Sequence, residues 1–160
     1  MKLTAFTDYA LRVLIYLASE PPERATIAQI AAAYDISEHH LVKVVHFLGR
    51  QGWLDNVRGK GGGLELALPP GRIGLGQVVR DAEGESVVAE CFSADGGDCC
   101  ISPNCRLRGV LREAVAAFEA VLDRYTLADL VANRKQLAQI LFFDRAVASQ
   151  RRPAKAKAAP

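Results

Sequence analysis

The apolar positions of the first fifty residues recur every three or four places, in three separate groups. Leu11, Leu14, Ile15 and Ala18 share one face of a helix predicted over residues 7–18, which Thr7 can cap and Pro21-Pro22 closes. Ile27, Ile30 and Ala31 mark a second, shorter helix within residues 25–33, with Thr26 as its cap. After the tight connection AYDIS, Ser37 can cap a third helix, EHHLVKVVHFLGRQ. Its Leu41, Val44, Val45 and Leu48 fall at helical spacing, and Gly52 is its stop. Helix, short helix, turn and helix in that order predict a helix-turn-helix.

Beyond Gly52 the period changes to two. WLDNV and LELAL read as strands, with Leu64, Leu66 and Leu68 on one face and Glu65 and Ala67 on the other, joined by the cationic loop RGKGGG. A hairpin wing behind the helix-turn-helix follows. Pro69-Pro70-Gly71 ends it, and a further helix starts near Leu75. From Arg106 the pattern lengthens: Leu107, Val110, Leu111, Ala114, Val115, Phe118, Val121, Leu122 and Tyr125 follow a single helical stripe. Over about 19 residues that stripe extends nearly 30 Å. So long a stripe needs a partner, either the chain's own winged domain or, the favoured expectation, the same helix of a second copy. TLADLVANRKQLAQILFF reads as one last helix, capped by Thr126, that folds back on the core. The fold class expected is mainly α with a small β-hairpin wing, a winged helix-turn-helix joined to a long dimerisation helix.

Composition refines this picture. Half of the residues are apolar, so one core can be buried without crosslinks. No run approaches a membrane span, and Thr4, Thr7, Asp8 and Arg12 interrupt the N-terminus where a signal peptide has an apolar stretch. A soluble, cytoplasmic chain without a membrane partner is expected. Five of the twenty basic residues lie in 145–160, leaving fifteen against eighteen acids elsewhere, a net of −3. The basic end, SQRRPAKAKAAP, lacks large apolar groups and is expected to be a disordered tail. Asp81, Glu83, Glu85, Glu90, Asp95 and Asp98 occur without an intervening base, so that segment should face away from nucleic acid.

The third helix carries its polar groups where a groove-reading helix needs them. Ser37, Glu38, His39 and His40 stand at its start, Lys43 lies within a turn of both histidines, and His46 points further along. Arg58, Lys60, Gly61 and Gly62 form a loop able to lie against a duplex backbone. Double-stranded DNA is the partner these features predict. RGKGGG is not a nucleotide phosphate loop, since glycine follows Lys60 and no glycine stands five positions before Gly59.

All four cysteines fall in CFSADGGDCCISPNC, with the spacing C-x7-C-C-x4-C: Cys91, Cys99, Cys100 and Cys105. In a reducing compartment such a cluster points to metal ligands or redox thiols rather than disulfides. The paired knuckles of a structural zinc site are missing, and adjacent thiols fit two corners of one tetrahedron poorly. Three separated thiolates suit an iron–sulfur cluster completed by a non-cysteine ligand. A zinc- or thiol-dependent oxidoreductase component is the rival class. It needs a reactive thiol and turnover, for which a helix-turn-helix has no use.

MKLTAFTDYALRVLIYLA, SEHHLVKVVHFLGRQGWLDNVRGKGGG, CCISPNCRL and YTLADLV occur in that order. Together they resemble the Rrf family of winged-helix iron–sulfur regulators over residues 1 to about 141, and within it the branch that senses nitric oxide. The resemblance implies a homodimeric repressor of promoters, not an enzyme, with one cluster per subunit. That cluster is expected to be of the four-iron (4Fe-4S) kind, with the two-iron (2Fe-2S) kind as the alternative. It implies Cys91, Cys99 and Cys105 as ligands and Asp8, in FTDYALR, as a fourth supplied by the partner chain. Arg12, one turn on, would hold that carboxylate. Cys100 is an alternative ligand, and by position alone Asp8 is an acid stabilising a helix's first turn. An iron- or redox-responsive regulator of the same fold is the alternative function. AECFSADGGD is similar to the iron-responsive branch, whereas no histidine follows Cys105 as in the cluster-assembly branch. On this reading residues 1–80 bind DNA, 81–105 form the cluster-binding loop, 106–145 the dimerisation and C-terminal helices, and 146–160 the tail.

Overall fold

The computed structural model describes residues 3–84, 89–92 and 99–143. The expected tail, residues 146–160, lies outside them.

Helix α1 spans Ala5–Ala18, and its cap is Thr4 rather than Thr7. The Thr4 hydroxyl accepts from the Thr7 amide at 3.2 Å. Two threonines three residues apart carry the same capping signal; Thr7 is wholly buried as a helical residue, which leaves Thr4 the capping position. Helix α2, Ile27–Tyr34, opens with a capping box: the Gln29 amide donates to Thr26 Oγ1 at 3.2 Å, and the Thr26 amide donates to Gln29 Oε1 at 2.7 Å. It ends on Asp35 in the left-handed region, at φ 55°. Helix α3, Glu38–Arg50, follows; Ser37 occupies its N-cap position but makes no side-chain capping bond.

The core forms where these three helices meet. Leu41, Val44, Val45 and Leu48 of α3 are buried with Ala10, Val13 and Leu14 of α1 and Ile30 and Ala31 of α2. Burial of a Leu, Ile or Val side chain contributes about 1.5–3 kcal/mol, so this junction sets the angle between α2 and α3.

Strands β1 (Leu54–Val57) and β2 (Gly63–Leu66) pair antiparallel, Leu54 opposite Leu66 and Val57 opposite Gly63. The turn between them depends on Gly62, where a Cβ would stand 2.3 Å from the Val57 carbonyl oxygen. Leu64 is buried in the core, and its amide donates to the Ala25 carbonyl at 2.7 Å, which fastens the hairpin to the α1–α2 loop.

Helix α4 is Leu75–Glu83, beginning where the sequence placed it. Helix α5 is Arg106–Leu122. Its stripe divides: Leu111, Val115, Phe118 and Leu122 are half-buried, whereas Leu107, Val110, Val121 and Tyr125 beyond its end are exposed. The far end of α5 is stitched to the start of α4, the Leu75 amide donating to Tyr125 O and the Leu127 amide to Ile73 O, both at 2.9 Å. Arg80 pairs with Asp123 at 2.8 Å beside Gly76, where a Cβ would lie 1.9 Å from the Asp123 carboxylate.

The last helix is not continuous. It breaks into α6 (Leu127–Leu130) and α7 (Arg134–Ala138), the latter passing into a π-helical turn, Gln139–Phe143. The break at Val131 lets both Val131 and Leu141 reach the core, with Phe142 edge-on to Tyr16 at 5.0 Å. An ion pair between Arg134 and Glu20 holds α7 to the end of α1.

Candidate nucleic-acid interface and cysteine segment

Helix α3 buries its apolar face and leaves Ser37, Glu38, His39, His40, Lys43 and His46 exposed in one row of turns. The α2–α3 junction holds this surface from beneath. Helix α1 supports it from the side: the Tyr9 ring stacks on His40, with centroids 6.3 Å apart and planes at 24°, and Phe6 meets Phe47 edge-on at 5.2 Å. In the wing, Arg58, Lys60 and Gly61 are exposed and Gly62 is half-buried. Gly59 and Gly61 take positive φ, 98° and 78°, which only glycine adopts without strain.

Two contributions went unread in the sequence. Tyr9 falls outside the stripe Leu11, Leu14, Ile15 and Ala18, and Phe6 precedes the predicted helix; only the packing of α3 against α1 turns them into its buttress. Arg24, in the polar loop before α2, donates from Nε to Glu65 Oε2 at 2.8 Å. A pair 41 positions apart leaves no trace in the local pattern.

Cys99, Cys100 and Cys105 fall in the seven residues before α5, and Cys91 stands further back, eight residues after the end of α4. Cys91, half-buried, lies in the 3-10 turn Glu90–Phe92, and Cys99 and Cys100 are exposed. Cys105, half-buried, is the extended residue before α5, at the positive end of that helix. All four are free thiols. Among the described residues no three His, Cys, Asp or Glu side chains stand close enough to hold a metal, so Cys91, Cys99 and Cys105 are not brought together within this one chain. Residues 93–98, between the first two, lie outside the described residues. The donor set still fits an iron–sulfur cluster in its chemistry: soft, free thiols, with Cys99, Cys100 and Cys105 on irregular backbone.

Asp8, about half exposed, pairs with Arg12 at 2.8 Å, one turn on in α1. The Arg12 guanidinium also lies over the Tyr34 ring, 5.7 Å from its centre. Burial pushes the Tyr34 hydroxyl up to about 12, against the pull of Arg12. The Thr4 amide and hydroxyl donate to Glu83 Oε1 at 2.8 and 3.2 Å, tying the start of α1 to the end of α4, eight residues before Cys91.

A winged helix-turn-helix followed by a long half-exposed helix is a regulator's architecture, and comparison with known proteins agrees. The family model for Rrf2, described as an iron-dependent transcriptional regulator, matches residues 3–133. The chain belongs to the Rrf2 family. It is 50% identical over 142 residues to the HTH-type transcriptional regulator NsrR of Bacillus subtilis, covering 88% of this chain and 97% of that protein. The NsrR of Geobacillus kaustophilus is 49% identical over the same shares. Among solved structures, T. potens IscR superposes with a TM-score of 0.67 at 25% identity, covering 83% of this chain and 88% of that one. CymR, the global cysteine regulator of B. subtilis, superposes with a TM-score of 0.62 at 30% identity over 83% and 98%. This Rrf2 protein is accordingly a DNA-binding transcriptional regulator; its relatives and structural neighbours are regulators rather than enzymes. Among the described residues no helix is long and apolar enough to cross a membrane.

Proposed function

We propose that this Rrf2 protein is a cytoplasmic, homodimeric repressor of promoters whose DNA reading is governed by an iron–sulfur cluster, one per subunit, with nitric oxide as the signal. The observation that carries the proposal is the set of four free thiols in the segment between α4 and α5, in a chain whose α1 presents a half-exposed Asp8 held by Arg12. The motif resemblance to the nitric-oxide-sensing branch and the NsrR relatives support it.

Cys91, Cys99 and Cys105 would hold the cluster, preferentially four-iron, with Asp8 from the partner chain as the oxygen ligand and Cys100 as the alternative thiol. When bound, the cluster supplies iron that takes up nitric oxide and exchanges its weakest ligand. The chain's own residues do the rest. Arg12 fixes the rotamer of Asp8. The exposed Leu107, Val110, Val121 and Tyr125 supply the face that pairs with a second copy. Ser37, His39, His40 and Lys43 contact the major groove, and Arg58, Lys60, Gly61 and Gly62 the adjoining backbone and minor groove. Two such heads read half-sites about 34 Å apart, so a ligand that joins α1 of one chain to the cysteine segment of the other sets their spacing. Residues 1–80, 81–105 and 106–145 divide these tasks in that order.

Native mass spectrometry of anaerobically purified protein, with nitric oxide titrated in, tests this. A dimer carrying two iron–sulfur masses that shift at low nitric oxide stoichiometry is expected; a zinc-loaded dimer overturns the cluster. The second reading, an iron- or redox-responsive regulator, is favoured by the family's description as iron-dependent. It predicts a cluster indifferent to nitric oxide and DNA binding that follows iron supply.

A further inference from the structure

Arg24 belongs to neither the reading helix nor the hairpin, yet it touches the wing at two levels. Its Nε donates to Glu65 Oε2, midway along β2, at 2.8 Å, and its Nη1 lies 3.5 Å from the Gly61 carbonyl in the wing tip. The neighbouring backbone repeats the link, with Leu64 N donating to Ala25 O at 2.7 Å. Gly63 permits the approach, since a Cβ there would stand 2.9 Å from the Ala25 carbonyl oxygen and 3.0 Å from Arg24 Cβ. The residue after Ala25 is Thr26, the cap of α2, and three residues separate α2 from α3.

We infer that Arg24 is a positioning residue for DNA reading: it ties the wing to the entrance of α2, so that wing tip and reading helix meet the duplex at a fixed separation. The inference rests on the reading of α3 and the wing as the DNA-contacting surface. Direct phosphate contact by Arg24 fits the geometry less well, because a phosphate would have to displace Glu65 from the guanidinium. Arg58 and Lys60 are exposed, carry no ion pair among the described residues, and are free for that task. A carboxylate on a hairpin that meets DNA repels phosphate, so Glu65 is an electrostatic liability there unless it serves to hold Arg24.

Binding of wild type, Arg24→Ala, Arg24→Lys, Glu65→Gln and the double variant Arg24→Ala/Glu65→Gln tests the inference. The probes are a duplex selected from a random pool by the wild type and its scrambled counterpart, each followed over a range of salt. Arg24→Ala and Glu65→Gln should each weaken the selected duplex by about two- to fivefold, the range an exposed ion pair allows. The double variant should lose no more, Arg24→Lys should retain part of the affinity, and scrambled-duplex binding and the salt slope should stay as in wild type. Loss with Glu65→Gln is decisive, because removing an acid would by charge alone tighten binding, and the near-isosteric change preserves the fold. The opposite pattern overturns the inference: Arg24→Ala alone weakening both duplexes with a salt slope shallower by about one, and Glu65→Gln neutral or tighter, marks a phosphate contact. A wild type that enriches no duplex would sink the DNA-contact reading and this inference with it.

Discussion

The guanidinium carbon of Arg12 lies 5.7 Å from the centre of the Tyr34 ring, while its Nη2 holds the Asp8 carboxylate at 2.8 Å. One side chain thereby links the proposed partner-facing acid of α1 to the last residue of α2. The energies are small: about 0.3–0.5 kcal/mol for a helical pair one turn apart, and about 0.5–1 kcal/mol for a cation over a ring at a partly exposed site. What the arrangement secures is orientation.

Asp8→Asn should therefore lower thermal stability by less than about 1 kcal/mol. If Asp8 is a ligand, the same variant purified anaerobically loses iron several-fold relative to wild type. An unaltered iron-to-protein ratio would remove Asp8 from the ligand set.

Tyr34 gives the chain an alkaline limit. Burial favours its neutral form, raising the hydroxyl from 10.0 to about 12, so above pH 10 the unfolded chain binds fewer protons than the folded one. Stability should be level below pH 10 in this respect and fall between 10 and 12, by at most about 2 kcal/mol because the ring is partly solvated. Denaturant melts at pH 9 and 11.5 measure the step, and Tyr34→Phe should abolish it.

Gly62→Ala puts a methyl against backbone, 2.3 Å from Val57 O and 2.8 Å from Gly59 O, with no flexible side-chain end to give way. The expected cost is about 1–3 kcal/mol, felt in the wing and as weaker DNA binding. Gly71→Ala, with nothing within 4 Å of its new methyl, is the control and should leave both unchanged.

Val110 is 61% exposed in the single chain, so Val110→Glu should leave monomer stability near wild type. On the pairing face of a dimer it would bury an unpaired charge and weaken self-association more than about tenfold, read by sedimentation equilibrium. A dimer that survives unchanged would place the interface elsewhere.

The helix-turn-helix and wing were legible because periods of 3.6 and 2 report burial directly: Leu41, Val44, Val45, Leu48 and Leu64 are all in the core. Caps were legible only to within a turn, since Thr4 and Thr7 offer the same hydroxyl and tertiary burial chooses between them. The stripe of α5 read as one face because the pattern cannot distinguish positions turned toward the chain's own body, such as Phe118, from outward ones, such as Val110. The last helix read as continuous because an apolar spacing of three and four survives a break that moves both halves inward. For the candidate site, the residue types were visible in the sequence and their mutual placement was not. The cysteines are clustered in sequence yet not gathered in one chain, and Arg24 and Glu65 become partners only through the fold.

The stitching of α5 at one end makes it a lever. Its seventeen residues extend about 25 Å from an anchor at Leu122, fixed by the Tyr125, Leu127 and Asp123 contacts, to a tip at Cys105. At that arm length a tilt of 5° sweeps the tip through about 2 Å, whereas metal–ligand distances tolerate about 0.2 Å, equivalent to roughly half a degree. If Cys105 is a cluster ligand, whatever seats the outward face of α5 sets the angle of the lever, and through this ratio decides whether the sulfur at its tip is within bonding range of the metal.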